Sequence, residues 1–174
     1  RSAAVLQPLV DIDLSQIKYY WFAFATFKGM PVMIARTGYT GEDGFEVYCP
    51  AEKTAWVWNE LMESGKAHEL MPTGLGCRNT LRLEAKMALY GHEIDEQITA
   101  VEADLNWILK FQKGDFIGRE ALLKQKENGP ERILVGFRML EKRDIARDHF
   151  PVLKDGRQVG FVTSAAPSPT CGFN

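Results

Sequence analysis

The 174-residue sequence predicts an α+β protein with two domains. Aromatic and β-branched runs occupy the first part of the chain, segments with helical periodicity follow, and alternation of period two begins after Gly129-Pro130. Domains of about 100 to 150 residues are the commonest size, so a second core can begin near the last third of this chain. We therefore predict one domain over residues 1–128 and an all-β domain over residues 129–174.

The first strands are predicted to form an antiparallel hairpin. Residues 21–27 and 31–36 are aromatic or β-branched, and the short spacer between them suits a tight turn with Gly29 at positive φ. Ahead of the hairpin, Asp13 resembles a helix N-cap with Gln16 three positions later, which predicts a short helix through Tyr19. Residues 45–48 are predicted to form a third strand.

Three helices are predicted next. The first opens at Pro50, and Gly65 lies just beyond its end. The second spans residues 73–85 and projects Arg78 and Arg82 from one face, and the third spans residues 119–126. The first helix is predicted to bury one stripe of side chains: Thr54, Val57, Trp58, Leu61 and Met62. Trp56 lies outside this stripe.

The last part of the chain is predicted to be all β. Residues 133–139 and 158–163 are predicted strands, and Asp155-Gly156 signals a tight turn. Too few strands follow Gly129 to cover a core of their own, so we expect an incomplete barrel.

Composition excludes several classes of function. The net charge of −2 and the pI near 6.0 disfavour binding to nucleic acid or to an anionic membrane, and no apolar run approaches the ~20 residues of a membrane span. Cys49, Cys77 and Cys171 form neither an even set nor a CxxC pair, so we expect small buried hydrophobes in a reducing, cytoplasmic-type compartment. The chain begins at Arg1 rather than Met, which leaves an organellar location open.

An acidic loop separates two predicted strands. Residues 36–46 (RTGYTGEDGFE) carry three glycines, which suits either a hairpin loop with solvated acids or a loop that brings carboxylates to a ligand. Glu46 falls within a strand on a face shared with apolar neighbours, so its carboxylate needs a partner. That partner is either an internal arginine or a ligand edge with two parallel N–H donors, such as the 2-amino and N3–H groups of a pterin.

Two arginines and one histidine are of residue types that occur in binding and metal sites. Arg78 and Arg82 suit either salt bridges to the acidic loop or recognition of a ligand carboxylate. His92 lacks the second histidine of an HExxH motif, because position 96 is Glu96. No metal site and no generic catalytic motif is predicted.

Two long motifs resemble one family closely. Residues 36–46, followed by residues 74–85 (GLGCRNTLRLEA), resemble the T-protein of the glycine cleavage system, and the resemblance continues to residues 160–169. It implies a ferredoxin-like folate-binding unit followed by an incomplete antiparallel β-barrel. Family members extend beyond both ends of the chain, so we expect a piece of a longer protein. The catalytic aspartate of the family lies upstream, so no catalytic residue is assigned here.

The resemblance also implies a folate site and a reaction. Glu46 matches the carboxylate that holds the pterin, Arg78 lines the same site, and Tyr39 and Tyr90 are weaker matches to its lining. The activity implied is transfer of a one-carbon unit to tetrahydrofolate from the aminomethyl-lipoyl arm of the H-protein, with release of ammonia. This chain has Cys77, Asn79 and Lys86 at three positions where family members commonly have Ala, Asp and Gly, respectively.

Two alternatives share this half of the fold. One is the folate-binding domain of a demethylating oxidase of the sarcosine or dimethylglycine type. The other is a noncatalytic folate-binding protein, although the Lys-Gly-Cys-Tyr segment typical of such relatives is lacking in this chain.

Overall fold

The computed structural model describes residues 1–141 and 143–174, which divide into two compact units, Arg1–Leu81 and Arg82–Asn174. Their mixture of separate helices and antiparallel strands confirms the α+β class. None of the helices in these described residues is long and apolar enough to cross a membrane. The helices are α1 (Ser2–Leu6), α2 (Thr54–Gly65), α3 (Leu75–Glu84) and α4 (Arg119–Asn128), and the strands are β1 (Phe22–Phe27), β2 (Met30–Ala35), β3 (Glu46–Tyr48), β4 (Pro151–Lys154) and β5 (Arg157–Phe161).

The predicted hairpin is confirmed as β1 and β2. The two strands pair antiparallel from Phe22 opposite Ala35 to Phe27 opposite Met30. Lys28 and Gly29 have φ values of 47° and 85°, so both turn residues adopt the positive φ of a two-residue turn whose twist matches that of the strands. The predicted third strand is confirmed as β3, which pairs with β2 and completes the order β1-β2-β3.

Side chains alternate between the two faces of this sheet. One face carries Phe27 and Ile34, both fully buried, against Val57 of α2 and residues of the N-terminal segment. The opposite face carries Phe22 and Phe24, whose rings meet edge to face with centroids 5.7 Å apart. Both rings are exposed, as is Tyr48 on the same face. Glu46 lies two residues before Tyr48 and therefore projects from this outer face.

Helix α2 presents a different side to the core than the predicted stripe. The chain enters it through the 3₁₀ turn Ala51–Lys53. Val57 is buried as predicted, but the prediction for Trp58 is wrong, because this side chain is 51% exposed. Trp56 packs instead against Phe27, with ring centroids 5.5 Å apart. Two overlapping apolar stripes fit the helical period, and only tertiary contacts select between them.

Gly65 also has a different role from the one predicted. It is the last residue of α2, with a φ of −79°, and the left-handed residue that follows is Glu69 at φ 60°. A Cβ built on Gly65 would lie 2.4 Å from the Cβ of Leu70. Close approach of the chain, rather than a left-handed conformation, therefore requires glycine here.

The predicted helix from Asp13 to Tyr19 is wrong beyond its first turn. Asp13 accepts a hydrogen bond from the backbone N–H of Ser15 at 2.9 Å, but the segment forms only the 3₁₀ turn Leu14–Gln16. Ile17 then adopts an extended conformation and is buried in the core. Burial of an apolar side chain at this position outweighs continuation of the helix.

The second unit contains a helix and a hairpin. Helix α4 ends at Gly129, whose φ is 82°, and β4 pairs with β5 through Asp155 and Gly156 at φ 52° and 75°. Both turns were predicted. The strand predicted over residues 133–139 is wrong, because Leu134 and Met139 donate their backbone N–H groups to the carbonyls of Glu102 and Asn174, outside any strand.

Candidate functional site

The acidic loop is fastened by an arginine at its base. Arg36 donates through Nε and Nη2 to the two carboxylate oxygens of Asp43, at 2.8 and 2.9 Å, and through Nη1 to the carbonyl of Ile17. The hydrogen bond from Arg36 lowers the pKa of Asp43 below its ordinary value. A bidentate pair of this kind fixes geometry as well as charge. Both carboxylate oxygens of Asp43 therefore already accept hydrogen bonds within the loop.

Glu46 stands apart from that pair. Its Oε2 atom accepts a hydrogen bond from the Thr37 hydroxyl, and the Tyr48 hydroxyl lies 3.5 Å from the same oxygen. The carboxylate is exposed on the outer face of the sheet, which it shares with the exposed rings of Phe22, Phe24 and Tyr48. In residues 1–141 and 143–174, no arginine forms an ion pair with Glu46. Pairing with an internal arginine, one of the two partners that the sequence suggested, is therefore not seen in these residues.

Arg78 and Tyr39 are in contact within the first unit. The guanidinium of Arg78, on α3, lies 4.2 Å from the centroid of the Tyr39 ring, which belongs to the acidic loop. This is a cation–π contact, in which the ring face holds the guanidinium while its N–H edges stay accessible. Arg78 is exposed, and the ion pair with an acidic-loop carboxylate that the sequence allowed is absent from the described residues.

Arg82 differs from Arg78 in its surroundings, although the two residues lie four positions apart on α3. Arg82 is buried, and its Nη1 atom donates to Oε2 of Glu93 at 2.7 Å. Its Nη2 atom donates to the Ser164 hydroxyl at 2.7 Å, and the N–H of Leu89 donates to the same oxygen of Glu93 at 3.0 Å. Arg82 is a structural residue of the second unit.

Glu93 remains charged within this cluster. Burial is the largest single effect and raises its pKa, but hydrogen bonds from Ser164, the Leu89 N–H and Thr163, together with the Arg82 charge, outweigh it. The net result is a pKa below the ordinary glutamate value. Sequence reasoning missed Glu93, because its partner lies eleven residues away outside any shared helix.

The remaining predicted residues are less engaged. Tyr90 belongs to the second unit, is exposed, and forms an isolated bridge with Ile94. Cys77 and Cys171 are exposed free thiols, so the expectation that all three cysteines are buried is wrong, whereas Cys49 is partly buried beside the core.

Thr37 was also missed by the sequence analysis. The pairing of Ala35 with Glu46 places residue 37 diagonally across from Glu46 in the hairpin, within reach of a side-chain contact. Only the register of the hairpin could have revealed that relation.

The fold and these residues define an α+β protein whose acidic loop carries an exposed carboxylate and an arginine–tyrosine contact. The crystal structure of the glycine cleavage system aminomethyltransferase T from Bartonella henselae matches with a TM-score of 0.83 and 29% identity, over 98% of this chain and 46% of that one. The family model of the GCVT N-terminal domain matches residues 1–113, and that of the glycine cleavage T-protein C-terminal barrel domain matches residues 132–174. The chain belongs to the glycine cleavage T-protein family, which confirms the resemblance.

Curated relatives carry the name aminomethyltransferase. The one from Desulfitobacterium hafniense is 49% identical over 170 residues, which are 98% of this chain and 46% of the relative. The one from Koribacter versatilis is 52% identical over 168 residues, which are 94% of this chain and 44% of the relative. The chain therefore spans a little less than half the length of these curated relatives.

Proposed function

We propose that this protein acts as a tetrahydrofolate-dependent aminomethyltransferase of the glycine cleavage system. The observation that carries the proposal is 49% identity with a curated aminomethyltransferase across 98% of the chain. Because the chain spans 46% of that relative, the activity, the substrates and the partner are all part of the proposal. The lipoylated H-protein is the proposed partner, and one-carbon metabolism and glycine catabolism are the proposed context.

The proposed reaction moves one carbon from the lipoyl sulfur to tetrahydrofolate. N5 of tetrahydrofolate forms a bond to the methylene carbon of the aminomethyl group as the amino group leaves as ammonia. N10 then forms the second bond to that carbon as its C–S bond to the lipoyl arm breaks, and the protons lost from N5 and N10 are gained by the ammonia and by the lipoyl thiol. The products are methylenetetrahydrofolate and the reduced lipoyl arm. Placement of N5 against the carbon supplies much of the acceleration, because an oriented pair avoids the entropy cost of a bimolecular encounter. No catalytic residue of this chain is proposed.

Glu46 is proposed to hold the pterin. Its carboxylate is exposed, and its two described partners are hydroxyl groups that both face Oε2, so Oε1 can accept an N–H from the pterin edge. The second N–H of that edge can share Oε2 with Thr37, because each carboxylate oxygen has two acceptor positions, and a charged acceptor gives stronger hydrogen bonds than a neutral one. Tyr48 lies beside Glu46 on the same face of the sheet and offers an aromatic surface.

Arg78 and Tyr39 are proposed to serve the same ligand. The stacked guanidinium keeps its N–H edges available to a carboxylate, and the stacking on Tyr39 reduces the freedom lost on binding. Tyr90 is proposed as a folate-binding residue from the family resemblance alone.

A domain boundary after residue 128 and a cytoplasmic location are also proposed. Absence of nucleic-acid and membrane binding is proposed from the net charge of −2.

A hybrid enzyme tests the proposed activity. This chain replaces the matching 170-residue segment of the Desulfitobacterium hafniense aminomethyltransferase, and the hybrid receives aminomethyl-lipoyl H-protein and tetrahydrofolate. We expect ammonia and methylenetetrahydrofolate in equal amounts. A folded hybrid that binds folate without releasing ammonia would favour a noncatalytic folate-binding protein. Folate-dependent turnover of sarcosine or dimethylglycine, after fusion to a flavin domain, would favour the oxidase alternative.

A further inference from the structure

We propose that Thr37 is the positioning residue for the Glu46 carboxylate, which it orients so that Oε1 faces the ligand. This inference rests on the proposed folate function and adds a residue to it. The Thr37 hydroxyl donates to Oε2 of Glu46. The Tyr48 hydroxyl approaches the same oxygen at 3.5 Å, the outer limit of a hydrogen bond, so Thr37 is the principal partner.

The sheet holds Thr37 where it can reach Glu46. Strand β2 ends at Ala35, whose partner on β3 is Glu46, so Thr37 and Glu46 are diagonal neighbours on the same face. Arg36, between Ala35 and Thr37, is anchored by Asp43 and by the carbonyl of Ile17. The branched Cβ of threonine restricts χ1, so the hydroxyl has few alternative positions.

One hydrogen bond to one oxygen is what a ligand-binding carboxylate needs. The terminal torsion of a glutamate is broad, so an exposed carboxylate turns freely unless one oxygen is held. A bond to Oε2 fixes the carboxylate plane and leaves Oε1 as an acceptor, since an ionised carboxylate offers about four acceptor sites. Without Thr37, Glu46 would lose that rotational freedom only on binding, at a cost in affinity.

A purely structural role makes a different prediction. If the Thr37 hydroxyl only closes the loop, its removal lowers the melting temperature and leaves folate affinity per folded molecule unchanged. A positioning role lowers folate affinity, and it does so only when the Glu46 carboxylate is present. A double-substitution cycle separates these roles, because residues that act through each other are not additive.

The experiment is titration of tetrahydrofolate into the full chain and its variants, with a melt recorded on each sample. Thr37→Val keeps the branched shape and removes the hydroxyl, whereas Thr37→Ser keeps the hydroxyl. Thr40→Val is the matched control, because Thr40 lies in the same loop and its hydroxyl accepts from the backbone N–H of Glu42 rather than contacting Glu46. The cycle is completed by Glu46→Ala and by the double variant.

We expect Thr37→Val to weaken tetrahydrofolate binding about 3- to 10-fold, the range for ordering one side chain on binding. Thr37→Ser and Thr40→Val are expected to stay within about 2-fold of the wild type, and adding Thr37→Val to Glu46→Ala is expected to change nothing further. Wild-type affinity in Thr37→Val, or full additivity in the double variant, overturns the positioning role alone. Failure of the wild type to bind, or unaltered binding by Glu46→Ala, overturns the proposed folate site with it.

Discussion

Arg82 and Glu93 form an ion pair closed to solvent, with Nη1 2.7 Å from Oε2 and side chains only 2% and 6% exposed. Ser164 and the N–H of Leu89 satisfy further hydrogen-bonding positions of the same two groups. Buried charges are tolerated only when they are paired and hydrogen-bonded in this way. Removing either partner would therefore break an ion pair inside the protein.

Glu93→Gln is therefore expected to destabilise the protein by about 3 to 5 kcal/mol, because it leaves the Arg82 charge buried without its counterion. Asp104→Asn is the matched control: Asp104 pairs with Lys86 in an exposed ion pair, and Asn tolerates its positive φ of 56°. The control is expected to cost less than about 1 kcal/mol. Urea unfolding of both variants compares them, and equal losses would contradict the account of the buried pair.

The same pair gives an acid-dependent stability. The folded-state pKa of Glu93 is below its ordinary value, so its stabilisation is fully present above the unfolded pKa of about 4.3 and is lost as pH falls through the lower folded pKa. The stability difference between wild type and Glu93→Gln should therefore shrink as pH is lowered below about 4.3. Urea midpoints measured between about pH 3 and pH 7 check this. A constant difference across that range would contradict it.

Local signals were sufficient for the hairpins. Gly29, Asp155 and Gly156 adopt positive-φ turn conformations that Gly and Asp tolerate well, and both hairpins form. Alternation over residues 133–139 was insufficient, because strand formation there also needs a partner strand, and none pairs with it among the described residues. Local pattern fixes a turn, but pairing is a tertiary property.

The candidate site was predictable only in part. The two motifs select Glu46 and Arg78 as candidates, but the different surroundings of Arg82 depend on Glu93 and Ser164, which are distant in sequence. The contact between Thr37 and Glu46 needed the strand register. A motif can therefore indicate a candidate residue, but the charges and hydrogen bonds around that residue depend on the folded chain.

Two tryptophans on α2 should respond differently to truncation. Trp56→Ala removes a ring that packs edge to face against the buried Phe27 and should cost about 3 kcal/mol or more. Trp58→Ala removes a ring that is 51% exposed and should cost less than half as much. Thermal or urea unfolding of the two variants tests which face of α2 meets the core. The reverse order would restore the stripe predicted from sequence.

Gly65 should not accept a methyl group. Gly65→Ala places a Cβ 2.4 Å from the Leu70 Cβ, which cannot swing away like the end of a flexible side chain, so we expect a loss of about 1 to 3 kcal/mol. Gly76→Ala within α3 meets nothing within 4 Å and should be neutral or stabilising by up to about 1 kcal/mol, as helix propensity dictates. The melting temperature of Gly65→Ala should fall, whereas that of Gly76→Ala should stay unchanged or rise. A shared direction would contradict the role assigned to Gly65.

The role of Glu46 in folate binding is the central claim, and Glu46→Gln tests it most directly. The substitution keeps the side-chain shape but replaces one acceptor oxygen with a donor, so a charge-assisted bond worth about 1.5 to 3 kcal/mol is lost. Glu42→Gln is the matched control, because it makes the same change on an exposed carboxylate of the same loop. Tetrahydrofolate is titrated into the wild type and both variants, with melts recorded on the same samples. We expect about 10- to 150-fold weaker binding in Glu46→Gln and unaltered binding in Glu42→Gln, with similar melting temperatures. A dissociation constant for Glu46→Gln equal to that of the wild type would contradict the assignment of Glu46 to the pterin.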